Sequence, residues 1–196
     1  SFVVGVSDDC LFPAQSVATK FRVGPMDALN IQNIVDLRPD VVIVNRDENT
    51  LADITRLQAQ GLHVWQTFPR TVPDAMNLIW DTLHLFMVDD RYLYEKVNLI
   101  NRTMDWVGGV SEAREDHICN VFVPLLMDPL TTFGADTYSH DLLRMAGGTN
   151  VFGNHSSDAE IDPAEDVSRY PVITLEDVQN AQPDIILLPS APLPFL

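Results

Sequence analysis

The sequence predicts an α/β protein of two lobes, each with a largely parallel sheet, joined by one long backbone helix that leaves a ligand cleft between them. A helical pattern of apolar residues runs through residues 90–113. Two similar segments, residues 31–45 and 175–189, lie on either side of this pattern. Short apolar runs alternate with helical patterns in both halves, which is typical of parallel sheets covered by helices.

The predicted long helix has one apolar face. Its residues recur at steps of three and four and are Leu93, Val97, Ile100, Met104 and Val107. At 1.5 Å per residue, a helix over residues 90–113 would be about 36 Å long, which is the width of a small domain. Gly108 and Gly109 each cost about 1 kcal/mol relative to alanine inside a helix, so they predict a kink or an end there.

The two flanking segments read IQNIVDLRPDVVIVN and LEDVQNAQPDIILLP and align without a gap. Each has a short helical run, a Pro-Asp pair, four apolar residues and a polar loop. This interpretation divides the chain into an N-terminal α/β lobe at residues 1–88, a linking helix at residues 89–114 and a C-terminal α/β lobe at residues 115–196. The alternative is a chance match, because helix, Pro-Asp and strand is a common connection.

In the first lobe, apolar runs predict strands at residues 2–6, 21–23, 41–44 and 62–66. Asn30 is the predicted N-cap of a helix that reaches residue 37. Residues 48–60 predict a second helix that stops at Gly61. Thr71 is the predicted cap of a third helix, which carries Pro73 in its first turn.

In the second lobe, residues 118–123 predict a strand and residues 124–134 a loop. Asp136 is the predicted cap of a helix that ends at Gly147, and a brief strand follows at residues 150–152. Thr174 opens the second copy of the repeated helix, before a strand at residues 185–188. The chain begins with Ser1 and stops just after a strand, so we interpret it as truncated at both ends.

Composition excludes several classes of function. The 196 residues carry a net charge of −16 without a basic patch, which argues against nucleic acids and anionic membrane surfaces. No apolar run approaches the length of a membrane span. The five histidines are scattered, and the HExxH, P-loop, GxGxxG and GxSxG motifs are missing from the sequence. We therefore predict a protein that is not an enzyme, with no catalytic residues, resident metal or cofactor.

Ligands of parallel α/β sheets bind outside the carboxyl ends of the strands. That rule selects the loops at residues 7–13, 45–49, 67–70, 124–134 and 189–195. The candidate ligand-binding residues in these loops are Phe12, Asn45, Arg46, Asp47, Glu48, Arg70, Asp128, Thr131, Thr132, Phe133, Ser190 and Phe195. Their mixture of aromatic faces and hydrogen-bonding groups suits a sizeable ligand with apolar and amide-like edges.

Five segments together resemble a known family. They are VVGVSDDCLFP at residues 3–13, NIQNIVDLRPDVVIVNRDEN at 30–49, GLHVWQTFPRTVPDAM at 61–76, DPLTTFGADTYSHDLLRMAGGTNVF at 128–152 and YPVITLEDVQNAQPDIILLPSAPLPF at 170–195. In this order they resemble the class III substrate-binding proteins of ABC importers, which carry cobalamin, ferric siderophores, haem or related metal chelates.

The resemblance implies two α/β lobes bridged by a backbone helix, with the ligand between them. It also implies a monomer in the periplasm or a cell-surface lipoprotein, with a small-molecule metal chelate and an ABC permease dimer as partners. Phe12 falls where the cobalamin binder of the family places an aromatic residue against the corrin. The loop at residues 45–49 is polar here, which departs from the aromatic contact of that binder.

The family docks on its permease through one surface acid in each lobe. Glu176 falls at the place in the second lobe, whereas Gln32 stands at the place in the first lobe, where Asp36 or Asp27 could supply the charge instead. The predicted cleft loops contain no histidine, which argues against a bare metal ion as the ligand. Two other hypotheses stay open: an extracellular sensor domain of the same fold, and a chelatase-like enzyme.

Overall fold

The computed structural model describes residues 2–86, 89–112, 119–153 and 169–189. Contacts between the residues divide the chain into two compact units, unit 1 (Ser1–Phe68) and unit 2 (Pro69–Leu196). The elements in chain order are β1 (Gly5–Val6), α1 (Ala14–Val17), β2 (Phe21–Arg22), α2 (Ile31–Leu37), β3 (Val42–Asn45), α3 (Leu51–Ala59), β4 (Val64–Thr67), α4 (Val72–Leu85), α5 (Asp90–Glu112), β5 (Cys119–Phe122), β6 (Leu126–Met127), β7 (Leu130–Thr131), α6 (Tyr138–Met145), β8 (Gly148–Asn150), α7 (Leu175–Ala181) and β9 (Ile185–Ile186). The predicted α/β class is confirmed.

Unit 1 contains two small parallel sheets. Strand β1 pairs with β2, and β3 pairs with β4 over four residues. Helices α2 and α3 bury their apolar faces in one core. The buried residues of that core are Val23, Ile31, Ile34, Val44, Ile54 and Leu57. The predicted parallel strands and their helical cover are therefore present in unit 1.

Side-chain caps fix the helices of unit 1. The Asn30 side chain accepts a hydrogen bond from the Asn33 amide at 3.0 Å, which confirms the predicted cap. Helix α3 begins three residues later than predicted, because Thr50 caps it by accepting from the Asp53 amide at 3.1 Å. The predicted stop at Gly61 is confirmed, since Gly61 follows the helix with a φ of 77°.

The first strand is shorter than predicted. Only Gly5–Val6 pairs with β2, and the preceding Phe2, Val3 and Val4 are exposed. A single helical turn, α1, was not predicted. It follows Pro13, whose carbonyl accepts from the Ser16 amide at 2.9 Å. Neither the early end of strand pairing at Gly5 nor the single turn of α1 has a strong pattern in the sequence.

Unit 2 contains a three-stranded parallel sheet in the order β8, β5, β9. Its core is formed by Phe122, Phe152, Ile173 and Val178, and the two phenylalanine rings meet edge to face at 5.6 Å. The segment at residues 124–134 was predicted as a loop, but β6 and β7 form an antiparallel hairpin there. Asp128 and Pro129 form the turn between these two strands.

Helices α4, α5 and α6 pack against one another in unit 2. The carboxylate of Asp141 in α6 accepts from the Val72 amide at the start of α4, at 2.8 Å. The structure thus groups α4 with unit 2, whereas the sequence-based division put it in the lobe at residues 1–88. Helix α5 spans Asp90–Glu112 and runs through Gly108 and Gly109, so the predicted end there was wrong, while the alternative of a kink stays a prediction.

Helix α6 is capped by Thr137, one residue after the predicted Asp136. The Thr137 hydroxyl accepts from the His140 amide at 3.2 Å. Asp136 instead forms ion pairs with Arg70 at 3.3 Å and with the buried Arg169 at 3.8 Å. A threonine hydroxyl can satisfy the first helical amides, and the Asp136 carboxylate is engaged with the two arginines.

The predicted repeat is present in the backbone. Helices α2 and α7 each have seven residues and end on a left-handed residue, Arg38 with φ of 48° and Gln182 with φ of 47°. Each is followed by Pro-Asp and a strand in a parallel pair. Among the described helices, none is long and apolar enough to cross a membrane.

Candidate functional site

The loop at residues 7–13 follows β1 and is held by Arg22. The Arg22 guanidinium donates to the Ser7 carbonyl at 2.7 Å and to the Cys10 carbonyl at 2.9 Å. These bonds tie the loop to β2 from inside unit 1. Phe12 lies at the far end of the loop with 81% of its surface exposed. The structure therefore places the predicted Phe12 ring in solvent on an anchored loop.

The loop at residues 45–49 follows β3 and closes on itself. The Asn49 side chain accepts from the Asn45 amide at 2.9 Å, and the Asn45 side chain accepts from the Asp47 amide at 3.1 Å. Two of the predicted site residues, Asn45 and Asp47, thus hold the turn and are half-buried. Arg46 and Glu48 are exposed beside them.

Met26 joins these two loops through its main chain. Its amide donates to the Asp9 carboxylate at 2.9 Å, and its carbonyl accepts from the Asn49 side chain at 2.8 Å. The loops after β1 and β3 therefore lie side by side at one edge of unit 1. This arrangement agrees with the rule that carboxyl ends of parallel strands meet.

Arg46 connects the loop after β3 to the end of β4. Its amide donates to the Thr67 carbonyl at 3.0 Å, and its guanidinium carbon lies 4.5 Å from the centre of the Phe68 ring. We call residues 7–13, 45–49 and Phe68 the strand-end surface of unit 1. Phe68 was absent from the sequence-based candidates, although its place directly after β4 is a signal that could have found it.

The strand-end surface carries several carboxylates. Partial burial raises the pKa of Glu48 above its usual value, and the nearby charges of Asp47 and Asp9 raise this pKa further. Asp9 belongs to the loop after β1, so its effect on Glu48 again shows that the loops converge. Within the described residues, no group of three His, Cys, Asp or Glu side chains has an arrangement that could hold a metal ion.

Three predicted residues of unit 2 are buried in its interior. Thr132 is fully buried and donates its hydroxyl to the Val123 carbonyl at 2.8 Å, while the Thr131 hydroxyl donates to the Pro129 carbonyl at 3.0 Å. Phe133 retains only 2% exposure. Its ring fills the interior of unit 2, so a smaller residue at this position would leave a cavity.

The hairpin of unit 2 also carries exposed side chains, at its turn and on its first strand. Asp128 is exposed at the turn, as expected for a ligand-binding candidate. Leu126 and Met127 on the preceding strand are also exposed, although sequence reasoning did not select them as site residues. Their place between Pro124 and Pro129 suggested a loop, and only the pairing of β6 with β7 shows that they stand on a strand.

Arg70 has partners inside unit 2. Its guanidinium donates to both carboxylate oxygens of Asp136 at 3.3 Å, and about half of its side chain is exposed. The Arg70 amide also donates to Asp74, in the capping box of α4. The hydrogen bond from the Arg70 amide, followed by that from the Thr71 side chain, lowers the pKa of Asp74. The predicted Ser190 and Phe195 lie outside the described residues.

Residues 1–191 match the sequence profile of the periplasmic binding protein family. The chain belongs to this family. The match confirms the resemblance to class III substrate-binding proteins of ABC importers that the sequence showed.

Individual relatives of this periplasmic binding protein agree with the family match. The vitamin B12-binding protein of Vibrio cholerae is 21% identical over 188 residues, which cover 94% of this chain and 61% of that protein. A crystal structure of the periplasmic vitamin B12 binding protein of Vibrio cholerae superposes with a TM-score of 0.77 at 20% identity, covering 95% of this chain and 68% of the other.

The periplasmic heme-binding protein RhuT from Roseiflexus sp. RS-1, in its apo form, has a TM-score of 0.72 at 19% identity. That superposition covers 94% of this chain and 67% of the other. At these identities the solved structures show a shared fold. The periplasmic binding protein described here spans 61% of the length of the curated Vibrio cholerae relative.

The two predicted docking residues occupy equivalent places on the repeated helices of this periplasmic binding protein. Gln32 is the second residue of α2, and its side chain donates to Asp36 at 2.8 Å. Glu176 is the second residue of α7 and is exposed. Both side chains are at the surface of their own unit, as a docking role requires.

Proposed function

We propose that this protein is an extracytoplasmic solute-binding protein that delivers a metal chelate, a ferric siderophore or cobalamin, to an ABC importer. The family match over residues 1–191 carries this proposal. The relatives named above are binding proteins for vitamin B12 and heme, which are both metal chelates with large planar rings. The protein acts in the periplasm or as a cell-surface lipoprotein, as a monomer without a resident cofactor.

The strand-end surface supports a binding role. It offers an exposed aromatic ring at Phe12, held on an anchored loop, beside the polar groups of the loop after β3. An aromatic face together with hydrogen-bonding groups suits a large ligand with an apolar body and a polar rim. The ligand contacts proposed for the protein come from Phe12, Asn45, Arg46, Asp47, Glu48, Arg70, Asp128 and Ser190.

Titration of the protein with four chelates tests this function. Cyanocobalamin, a ferric hydroxamate, a ferric catecholate and haem each absorb visible light, so binding can be followed by absorbance and by tryptophan fluorescence. We expect saturable binding of at least one of them at one ligand per chain. Failure of all four chelates to bind would contradict the proposed cargo.

A pair of variants tests the site. Phe12→Ala removes the exposed ring and should weaken binding by about tenfold, the effect expected for a buried aromatic contact. Phe21→Ala is the matched control, because Phe21 is an exposed phenylalanine of the same unit on β2, outside the strand-end surface. Equal affinity of both variants and the parent protein would remove Phe12 from the site.

The docking proposal has its own test. Glu176→Ala should reduce uptake of the bound chelate in cells or in reconstituted transporters, because the carboxylate no longer pairs with a basic group of the permease. Its affinity for the chelate should stay unchanged. Asn180→Ala, at an exposed position of the same helix, is the control. A loss of chelate affinity in Glu176→Ala would assign that residue a different role.

A further inference from the structure

Arg46 and Phe68 form a stacked pair on the strand-end surface. The guanidinium lies over the ring at 4.5 Å, and the arginine amide is fixed to the end of β4 by its bond to the Thr67 carbonyl. The Arg46 side chain is exposed, so N–H groups of its guanidinium remain available to a solute. Arg46 has no ion pair within the described residues. Its donors are thus held in place and open to solvent.

The groups beside Arg46 are negatively charged hydrogen-bond acceptors, whereas Arg46 is a positively charged donor. Glu48 is exposed two residues along the same loop, and its carboxylate can only accept hydrogen bonds when ionised. Asp47 and Asp9 lie near enough to act on Glu48 electrostatically. The surface therefore places a fixed donor edge next to an acceptor region with excess negative charge.

These groups match one kind of solute chemistry. An amide group carries an acceptor oxygen and a donor N–H side by side, whereas a carboxylate or a catecholate carries only acceptors and negative charge. An anionic group could bind Arg46, but it would also lie near Glu48, Asp47 and Asp9, three of the four carboxylates of this surface. Like charges at such short range raise the free energy of binding, and they therefore select against an anionic solute.

We propose that Arg46, positioned by Phe68, and Glu48 are specificity determinants that select a solute whose rim is neutral and amide-rich over a solute with several anionic groups. This inference rests on the proposed function and narrows its cargo by chemical class. Arg46 donates to an amide oxygen of the solute, and Glu48 accepts from an amide N–H. Phe68 is a positioning residue that contacts the guanidinium.

The affinity ranking of four probes tests the inference. Cyanocobalamin and a neutral ferric tris-hydroxamate built on a peptide backbone carry free amide groups, whereas haem and a ferric tris-catecholate are anionic at neutral pH. We expect the tightest binder to be one of the first two, by about tenfold or more over the anionic probes. Tighter binding of an anionic probe would overturn the inference and leave the proposed function standing. Binding of none would overturn both.

Variants identify the residues responsible. Arg46→Ala should weaken binding of the preferred probe by about tenfold. Arg91→Ala, which removes an exposed arginine from α5, is the control and should bind like the parent protein. Glu48→Gln removes one negative charge and should reduce the ratio between the affinities for the neutral and the anionic probes. An unchanged ranking in Glu48→Gln together with unchanged affinity in Arg46→Ala would overturn the assignment.

The positioning role of Phe68 has a separate readout. Phe68→Leu keeps an apolar side chain but removes the ring face, so we expect weaker binding of the preferred probe together with a loss of the neutral-over-anionic preference. Phe68→Tyr retains the ring and should restore both. If Phe68→Leu lowered stability without changing the ranking of the probes, Phe68 would have only a structural role.

Discussion

The two copies of the repeat share a backbone but differ in what covers their strands. The inner residues of the helices, Ile34 in α2 and Val178 in α7, are buried in both. After the helices the copies diverge: Val44, inside β3, keeps 3% exposure, whereas the aligned Leu188, two residues after β9, keeps 59%. Local sequence therefore determines the helix, the left-handed end and the strand, whereas burial depends on what packs against them.

Helix α3 accounts for this difference. Its Ile54 and Leu57 are buried in the same core as Val44, so the first copy has a helical cover over its strand. In the second copy, β9 pairs with β5 and its residues Ile185 and Ile186 are exposed. The same apolar pattern thus belongs to a core in one unit and to a surface in the other.

The largest expected effect is at Leu57, which is fully buried. Leu57→Ala should lower the free energy of unfolding by about 2–5 kcal/mol, because it removes a buried side chain of the helix that covers the first copy and leaves a cavity. Urea denaturation followed by circular dichroism measures this loss. Leu51→Ala on the exposed side of the same helix should cost far less. Equal losses would show that the core of unit 1 is not packed as described.

The next effect compares the aligned positions of the two copies directly. Val44→Ala should cost about 1–3 kcal/mol, whereas Leu188→Ala should change the free energy of unfolding by less than about 0.5 kcal/mol. The leucine loses more carbon atoms than the valine, so composition alone would predict the reverse order. A larger loss for Leu188→Ala would mean that the segment after β9 is covered in solution, which would break the comparison.

The helix caps should behave alike in the two copies. Asn30→Ala and Thr174→Ala each remove an acceptor for the first-turn amides and should cost about 0.5–2 kcal/mol. The Thr174 hydroxyl also donates to the Asp177 carboxylate at 2.7 Å, a bond that alanine cannot make, so its variant should lie at the upper end. Asn30→Asp and Thr174→Ser should retain most of the stability. A loss in one copy alone would show that its helix start is fixed by packing.

The smallest expected effect is a gain in stability. Arg38 and Gln182 both adopt the left-handed conformation, which costs a residue with a side chain more than it costs glycine. Arg38→Gly and Gln182→Gly should each raise the free energy of unfolding by about 0.5–1 kcal/mol. Gln58→Gly, inside the regular part of α3, should instead destabilise the protein. A destabilising effect at both helix ends would argue against the described backbone.

Local signals explain why so much of the fold could be predicted. The caps at Asn30, Thr71 and Thr174 and the stop at Gly61 depend on groups only a few residues apart. Such hydrogen bonds form within one turn of chain, so the sequence contains the whole interaction. The α/β class then follows from the alternation of these helices with apolar runs.

The candidate site was predictable only in part, because exposure depends on distant residues. The strand-end rule selected Phe12 and Arg46, which are exposed, and equally Thr132 and Phe133, which are buried. The buried pair is covered by the segment near residue 171, whose carbonyl bonds the Thr132 amide from about forty positions away in the chain. The residues next to Thr132 and Phe133 in the sequence therefore do not reveal that this pair is buried.

The main-chain bridge at Met26 has a practical consequence for solution spectroscopy. Because its amide and carbonyl tie the two loops together, any shift of one loop against the other changes the environment of this residue. The sequence has six methionines, and Met26 is the one that falls within residues 1–68. Of the six resonances that a methyl label on methionine would give, the one from Met26 would report on this part of the molecule as a solute is added.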